Sequence, residues 1–377
     1  MACDEADVYF MGKALQLAER GLFSTRPNPR VGCIVVKHKK AIGEGWHQQA
    51  GDHHAEVYAL NRAGVEARDA TLYVTLEPCS HYGKTPPCAR TVAEAGIKRV
   101  VIAMRDPNPL VAGKGIEYLQ SRGIEVIVGI LEDEARQLNI GYISRLERGR
   151  PWVRCKMAMS LDGCTALSSG ESKWITGELA RSDVQRLRAR SCAIITGVGT
   201  IEQDDPSLNV RHDQMAVDFE HYAYPIPPIR VILDTYLRAS PQMKVLSHPG
   251  NVIIATTASD HALLKWQETP SVTVAQIRQV AEGVDPDAVI TMLSAREINE
   301  VLIEAGASLS ASFLRSGLID ELWVYIAPKL IGKSSKNLFD LEEVDSLQNV
   351  YQLALSDVRR IGGDVRLVYK TPFKSSV

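Results

Sequence analysis

Apolar residues recur along the chain with two different periods, and these periods predict helices that alternate with strands. Between Val8 and Leu22 the apolar positions are three or four residues apart, as on one face of an amphipathic helix. The apolar, β-branched runs Val31–Val36 and Thr71–Leu76 predict buried strands. The remaining strands predicted in this half are Ala41–His47, Val100–Met104 and Glu125–Val128. The remaining helices are predicted at His54–Ala63, from the prolines before Cys88 to Ala95, at Gly115–Arg122 and at Leu131–Arg148. This alternation is typical of an α/β sandwich with a mostly parallel sheet.

The charged, turn-forming stretch Arg148–Pro151 separates this pattern from a second one, so we predict two domains, at residues 1–149 and 150–377. The second pattern is again α/β. Its predicted strands are Val153–Ala158, Ala193–Thr196, Ile229–Leu233, Asn251–Ala255 and Leu322–Ile326, and its clearest helix is Glu178–Arg190. The polar, proline-bearing segment His212–Pro228 is predicted to be a surface loop, and it could cover a site in this domain.

Composition and charge exclude some classes of protein. The 377 residues are 45% apolar and 23% charged, which is ordinary for globular domains, and a net charge of −2 argues against a broad surface for nucleic acid. No apolar run approaches the roughly 18 residues of a membrane span, and the acidic first residues do not read as a secretory signal. Seven cysteines, an odd number, indicate reduced thiols and a metal site, so we expect a cytoplasmic protein.

The candidate metal site combines His54 and Glu56 with Cys79 and Cys88. His, Cys and Cys can supply three ligands to a tetrahedral zinc and leave the fourth position to water, as in catalytic sites. Zinc lowers the pKa of that water, and Glu56 would move its proton to a leaving amine. This is the pattern of the zinc deaminases, although eight residues rather than two separate the cysteines. On an ideal helix His54 and Glu56 point in different directions, so the site must lie at the start of that helix.

Three alternatives stay open at this point. A structural zinc site would need a fourth ligand, for which His53 and His81 are the candidates. A deaminase of nucleosides or nucleic acid is a second possibility, but it would be expected to show a basic face or stacking aromatic residues, and only 6% of residues are aromatic. The third is a binding protein that zinc merely stabilises.

The first half resembles a known family in four motifs, which are Thr25–Gly32, His54–Glu56, Glu77–Cys88 and Asp106–Pro109. Together they look like the bifunctional deaminase/reductase family of riboflavin biosynthesis, which also has the long spacing between cysteines. The resemblance implies a cytidine-deaminase-like α/β/α sandwich acting on 2,5-diamino-6-ribosylamino-4(3H)-pyrimidinone 5′-phosphate. It also implies the substrate contacts Asn28, His47, Lys84, Asp106 and Asn108.

From the residues alone, Lys84 can hold a phosphate as a point charge, and the amides of Asn28 and Asn108 can pair with a pyrimidine edge. Asparagines beside prolines are, however, also common turn residues, and without the resemblance we would prefer that interpretation.

The second half resembles the reductase half of the same family, which has a dihydrofolate-reductase-like fold and transfers hydride from NADPH to the ribosyl chain of the deaminated product. The implied cofactor contacts are Ala158, Trp174, Thr200, Asp204, Gly306, Ala307, Ser308, Ser310 and Ser312. The implied substrate contacts are Lys156, Ser172, Arg188, Leu208, Arg211 and Glu304. The guanidinium groups of Arg188 and Arg211 could each grip a phosphate with two hydrogen bonds.

Two further expectations concern the second half. Ala305 stands where such reductases commonly have a second glycine, which could reshape the turn that binds phosphate. The resemblance also implies small-molecule substrates, and we expect a homo-oligomer, a dimer or a tetramer. Because the predicted strand Leu322–Ile326 is apolar, it is a candidate subunit contact.

Overall fold

The computed structural model describes residues 4–80, 86–217, 219, 221–248, 250–259, 266, 271–332, 336–343 and 345–372. They form two compact units, of which the first comprises Met1–Gly149 with Val217–Ile226 and the second comprises Arg150–Ala216 with Pro227–Val377. Val217–Ile226 therefore groups with the first unit, although its sequence lies in the second half of the chain. Within the described residues, no helix is long and apolar enough to cross a membrane.

The first unit is a five-stranded sheet between two layers of helices. Its strands are β1 (Gly32–Lys37), β2 (Lys40–Trp46), β3 (Thr71–Leu76), β4 (Arg99–Met104) and β5 (Glu125–Val128). Its helices are α1 (Glu5–Glu19), α2 (Ala55–Ala63), α3 (Cys88–Glu94), α4 (Lys114–Ser121), α5 (Glu132–Leu138) and α6 (Ile140–Arg148). Alternate residues of β1 point into separate cores. Cys33 and Val35 pack with α2, α3 and α4, while Ile34 and Val36 pack with α1, α5 and α6.

Two predictions about this unit are wrong. The sheet order is β2-β1-β3-β4-β5, and β1 is antiparallel to both of its neighbours, so the sheet is mixed rather than mostly parallel. The single helix predicted over Leu131–Arg148 is two helices separated at Asn139. The buried Asn139 amide accepts a hydrogen bond from the Arg30 N–H (2.8 Å) and donates one to the Arg30 carbonyl (2.9 Å), a long-range contact that helical periodicity does not reveal.

The second unit is built on a nine-stranded sheet. These strands are β6 (Trp152–Ser160), β8 (Ala193–Gly197), β9 (Ile229–Leu233), β10 (Val252–Thr256), β11 (Val272–Gln276), β14 (Glu300–Ile303), β15 (Glu321–Ala327), β17 (Ala354–Ile361) and β18 (Asp364–Lys370). Two short antiparallel pairs are made by β12 (Gln279–Val280) with β13 (Gly283–Val284) and by β7 (Cys164–Ala166) with β16 (Lys336–Asn337). In space the nine strands follow the order β11-β10-β9-β8-β14-β6-β15-β18-β17. The first seven strands in this order are parallel to one another, and the last two, β18 and β17, are each antiparallel to the strand before them.

Helices cover both faces of the large sheet, as buried parallel strands require. They are α7 (Glu178–Arg190), α8 (Val198–Asp204), α9 (Lys244–Ser247), α10 (Pro286–Ala295) and α11 (Ala307–Arg315). Leu187 of α7 and Val245 of α9 pack into one core, while Val289 of α10 and Phe313 of α11 pack into the other. The α/β fold class is confirmed in both units. β15 lies inside the sheet rather than at an edge, and its role as a subunit contact stays a prediction.

Candidate functional site

The three predicted metal ligands, His54, Cys79 and Cys88, come together in the first unit. The Nδ1 atom of His54 lies 3.6 Å from the Sγ of Cys79 and 3.2 Å from the Sγ of Cys88. All three ligand atoms lie within 4.8 Å of one another. In a tetrahedral site with ordinary zinc bond lengths, nitrogen and sulfur ligands are about 3.6 Å apart. The donor set and its spacing therefore fit one zinc ion.

The local structure explains why these ligands meet. His54 is the residue before α2, and Glu56 lies in the first turn, so both can reach one ion as the sequence required. Cys79 follows β3 and Cys88 begins α3. The Cys88 N–H donates to the Sγ of Cys79 (3.4 Å), which holds the two cysteines together across the long spacing. Hydrogen bonds from Cys88, and secondly from His54, lower the pKa of the Cys79 thiol, and a thiolate is the form that binds metal.

Glu56 has the surroundings of a proton carrier. Its side chain is 3% exposed, and burial raises its pKa to about 7 against the opposing effect of His54. A carboxyl group that titrates near neutral pH can both accept and release a proton there. Among the described residues the metal cluster has three members, and His53 is not one of them; His81 lies outside the described residues. The three described ligands are the number that a catalytic zinc site takes from the protein.

A hydrogen-bonded chain orients Asn28 beside this cluster. The Nδ1 of His47 lies 3.1 Å from the carbonyl oxygen of His53, so this nitrogen must carry the hydrogen. The Nε2 of His47 is then an acceptor for the Asn28 amide N–H at 3.0 Å. Burial lowers the pKa of His47, which favours this neutral form. The amide orientation of Asn28 is thus fixed by His47.

Two other predicted substrate contacts of this unit, Asp106 and Asn108, already have partners inside the protein. Asp106 Oδ1 accepts from the Asn108 N–H (2.9 Å) and from the Tyr142 hydroxyl (3.1 Å). The Asn108 Oδ1 accepts from the Leu110 N–H (3.1 Å), so this asparagine does stabilise a turn, as the alternative interpretation held. Lys84 lies outside the described residues.

Sequence reasoning missed Glu77, a buried carboxyl group two residues before Cys79. It accepts hydrogen bonds from four backbone N–H groups of residues 106–116. The available signal was a charged residue placed directly after an apolar strand.

In the second unit the predicted substrate contacts Arg188 and Glu304 form a buried ion pair. The Nε and Nη2 atoms of Arg188 donate to the two carboxylate oxygens of Glu304 at 2.6 and 2.8 Å, and its Nη1 donates to the Asn209 carbonyl at 3.1 Å. Within the described part of the chain, three of the five guanidinium hydrogens are used and two remain, so the bidentate edge that was expected to grip a phosphate is held by Glu304 instead. Burial lowers the pKa of the nearby Lys156, and Arg188 adds to this effect while Glu304 opposes it.

The remaining substrate positions are less closely bound to the protein. The Arg211 N–H donates to Gln185 (3.0 Å), and its exposed guanidinium meets the neutral side chain of Gln214. Leu208 is buried with a φ of 48°, the left-handed conformation. Ser172 is half-buried.

The predicted cofactor positions Gly306, Ala307 and Ser308 lie at the start of α11. Gly306 precedes this helix and lies beside Thr200, whose Oγ1 would be 3.8 Å from a Cβ at Gly306. The first N–H groups of a helix have no partner within it and can bind phosphate, so Gly306, Ala307 and Ser308 fit a dinucleotide phosphate. Ala305 packs against the core, and its effect on the turn that binds phosphate stays a prediction.

Three further predicted cofactor positions lie elsewhere in the second unit. Trp174 is 60% exposed, with the guanidinium of Arg181 4.6 Å above its ring. Ala158 lies in β6, and the Asp204 carbonyl accepts from Lys173 at 3.3 Å. Of the serines in α11, Ser310 is buried, while Ser308 donates to Asp340 (2.9 Å). Ser312 also lies in α11.

Comparison with known proteins covers almost the entire chain. Residues 4–104 match the family model of the cytidine and deoxycytidylate deaminase zinc-binding region, and residues 151–367 match that of the RibD C-terminal domain. Riboflavin biosynthesis protein RibD of Escherichia coli is 44% identical over 96% of this chain and 98% of its own. The corresponding protein of Aquifex aeolicus is 39% identical over 97% of this chain and 99% of its own.

Solved structures agree with this assignment. Acinetobacter baumannii RibD matches with a TM-score of 0.88 and 45% identity, over 98% of this chain and 99% of its own. A diaminohydroxyphosphoribosylaminopyrimidine deaminase/5-amino-6-(5-phosphoribosylamino)uracil reductase of Thermotoga maritima matches with a TM-score of 0.85 and 33% identity, over 97% and 99%. The chain therefore belongs to the RibD family, and it is a bifunctional enzyme of riboflavin biosynthesis with a zinc-dependent deaminase and an NADPH-dependent reductase.

Proposed function

We propose that His54, Cys79 and Cys88 hold the zinc ion of the deaminase and that Glu56 carries the proton. The observation that supports this most directly is the convergence of three ligand atoms within 4.8 Å beside a carboxyl group that is 3% exposed. When bound, zinc lowers the pKa of a water molecule, so that a nucleophilic hydroxide is available near neutral pH. Glu56 takes the proton of that water and passes it to the amine, which leaves as ammonia.

The substrate of this step is the diaminopyrimidine ribosyl phosphate. Asn28, held in one orientation by His47, pairs with the edge of the pyrimidine, and Lys84 holds the phosphate. The net charge of the whole chain is only −2, so individual cations rather than a broad basic surface must attract this anion.

The reductase step uses the edge of the large sheet at which its parallel strands end, where α/β sheets bind their ligands. When bound, NADPH supplies the hydride. The first turn of α11 holds a phosphate of the cofactor through its N–H groups. The two remaining hydrogens of Arg188, together with Arg211, contact the phosphate of the substrate, while Glu304 faces its hydroxyl groups.

The proposal extends to assembly and location. The edge strand β17 exposes Leu355 (56%) and Val358 (55%), which favours a homo-oligomer. Six free cysteines and no disulfide among the described residues favour a reducing compartment, the cytoplasm. Light scattering on the purified protein would test the homo-oligomer.

The order of the two steps can be measured in one sample. Zinc-loaded protein is mixed with the diaminopyrimidine ribosyl phosphate, and ammonia release and NADPH oxidation are followed separately. We expect ammonia first, with NADPH consumed only afterwards. Ammonia without NADPH oxidation would contradict the reductase assignment, and the absence of both would contradict the proposed substrate.

Variants separate the two sites. Glu56→Gln should stop ammonia release but still reduce the deaminated intermediate when this is supplied. Changes at Lys156, Ser172 or Arg188 should stop reduction and spare deamination. Loss of both activities from one such change in a folded protein would contradict two independent sites.

A further inference from the structure

Glu77 is a buried carboxyl group that no step of the proposed deamination uses. It follows β3 and precedes Cys79 by two residues, and it is 3% exposed. Its Oε2 atom accepts hydrogen bonds from the N–H groups of Asp106 (3.3 Å) and Gly113 (3.0 Å). Its Oε1 atom accepts from those of Gly115 (2.9 Å) and Ile116 (3.3 Å). One side chain thus binds four backbone donors, which a carboxylate can accept and an amide cannot.

These four donors enclose a single loop. Asp106 begins the connection that leaves β4, and Gly113 ends it just before α4. Gly115 and Ile116 belong to the first turn of α4, whose N–H groups have no partner in the helix and whose dipole favours a negative charge. Glu77 therefore fastens both ends of residues 106–113 to the strand that carries a zinc ligand.

The contact between this loop and the ligand strand is close as well as polar. A Cβ added at Gly115 would lie 2.1 Å from the Pro78 carbonyl oxygen, so α4 touches the backbone directly before Cys79. Inside the loop, the Asp106 carboxylate accepts from the Asn108 N–H at 2.9 Å. A continuous path of hydrogen bonds thus runs from Glu77 through Asp106 to Asn108.

We propose that Glu77 is a positioning residue for the deaminase: it holds the 106–113 loop, and with it Asn108, in register with the zinc ligands so that the pyrimidine can bind. This inference rests on the proposed deamination and on the expectation, implied by the family resemblance, that Asn108 contacts the substrate. Glu77 itself touches neither the substrate nor the metal ligands' side chains in this role.

Glu77→Gln is the direct test because it keeps the shape of the side chain and removes half of its accepting capacity. One of the two carboxylate oxygens is replaced by an NH2 group, which then faces two backbone N–H donors and cannot accept from them. Hydrogen bonds to charged groups are strong, so we expect KM for the diaminopyrimidine ribosyl phosphate to rise about tenfold or more. The kcat for ammonia release, the zinc content and the reduction of supplied intermediate should each stay within about twofold of the original protein.

A matched control separates positioning from simple loss of stability. Asp7 is also buried in the first unit, and its carboxylate is bound by Arg99 and Tyr73 on a different part of the sheet. Asp7→Asn should lower the melting temperature and leave KM unchanged. If Glu77→Gln likewise lowers the melting temperature without raising KM, Glu77 is only structural and the inference is wrong.

A double variant tests whether Glu77 acts through Asn108. If it does, Asn108→Ala and the double variant Glu77→Gln/Asn108→Ala should have nearly the same KM. Once the Asn108 side chain is removed, Glu77→Gln can no longer displace it from the substrate. Multiplying effects would overturn the inference.

If Glu77→Gln fails to fold, Gly113→Ala provides a second test of the inference. Its φ is 89° and an added Cβ would meet nothing within 4 Å, so the substitution strains only the end of the loop. A KM unchanged by this variant would contradict the inference. An original protein that releases no ammonia from this substrate would instead contradict the proposed function.

Discussion

Gly45 is the point at which a single methyl group should disable the deaminase, since the backbone of β2 there touches helix α2. A Cβ added at Gly45 would lie 2.3 Å from the Ala55 carbonyl oxygen and 2.6 Å from the Ala59 nitrogen, whereas ordinary contact begins at 3.4 Å. Both atoms belong to the backbone, so no side-chain rotation can relieve the overlap. The first turn of α2 would have to retreat by about 1 Å.

That retreat would move the catalytic groups because Ala55 lies between His54 and Glu56. Misplacing reacting groups by about 1 Å can cost on the order of 100-fold in rate. Overpacking of this kind typically destabilises a protein by about 1–3 kcal/mol. We therefore expect Gly45→Ala to release ammonia about 100-fold more slowly and to bind zinc more weakly.

The assay has an internal and an external control. Reduction of the supplied intermediate by the same chain reports that the second unit is intact. Gly12→Ala adds the same methyl group in the same unit, where its Cβ would lie 3.9 Å from Leu131, an ordinary contact, and should leave both activities unchanged. Ammonia release within about threefold of the original rate, with full zinc content, would refute the reasoning.

Three further predictions concern single side chains. Glu56→Gln should lower the rate of ammonia release about 100- to 10,000-fold at unchanged zinc content, and a rate above a tenth of the original would contradict its role in proton transfer. Arg188→Met leaves the buried Glu304 carboxylate without its partner, so reduction should be lost and the second unit destabilised by about 3–5 kcal/mol, measured by chemical denaturation. If reduction persists in that variant, Arg188 does not contact the substrate. The hydrogen bonds from Arg99 lower the pKa of Asp7, so its contribution to stability is present above about pH 4, the value in an unfolded chain, and is lost as the pH falls through its folded pKa. The difference in unfolding free energy between the original protein and Asp7→Asn should therefore be largest near neutral pH and shrink in acid, and a constant difference would exclude the ionised form as its cause.

Short-range patterns in the sequence were sufficient to predict most elements and the metal cluster. Apolar periodicity placed β1 and α2 close to their observed bounds, because each reflects one face packed against a core. The positions of His54, Cys79 and Cys88 at the ends of predicted elements were enough to suggest that they meet, since the ends of parallel strands lie at one edge of a sheet.

Contacts between residues distant in sequence were decided only by the tertiary structure. Asn139 divides a helix because its amide pairs with Arg30, more than 100 residues earlier. The direction of β1 relative to β3, the pairing of β17 with β18, and the grouping of Val217–Ile226 with the first unit likewise depend on partners that no local period encodes.

The same distinction applies to the sites. Sequence identified Arg188 and Glu304 separately, but only the folded chain shows that they neutralise each other. It identified the chemistry of Glu56 but not the role of Glu77, whose four donors lie 29–39 residues away. The residue type determines which interactions and which chemistry a side chain is capable of. Its burial and its partners arise from the packing of distant segments, and they determine which of these interactions it makes in the folded protein.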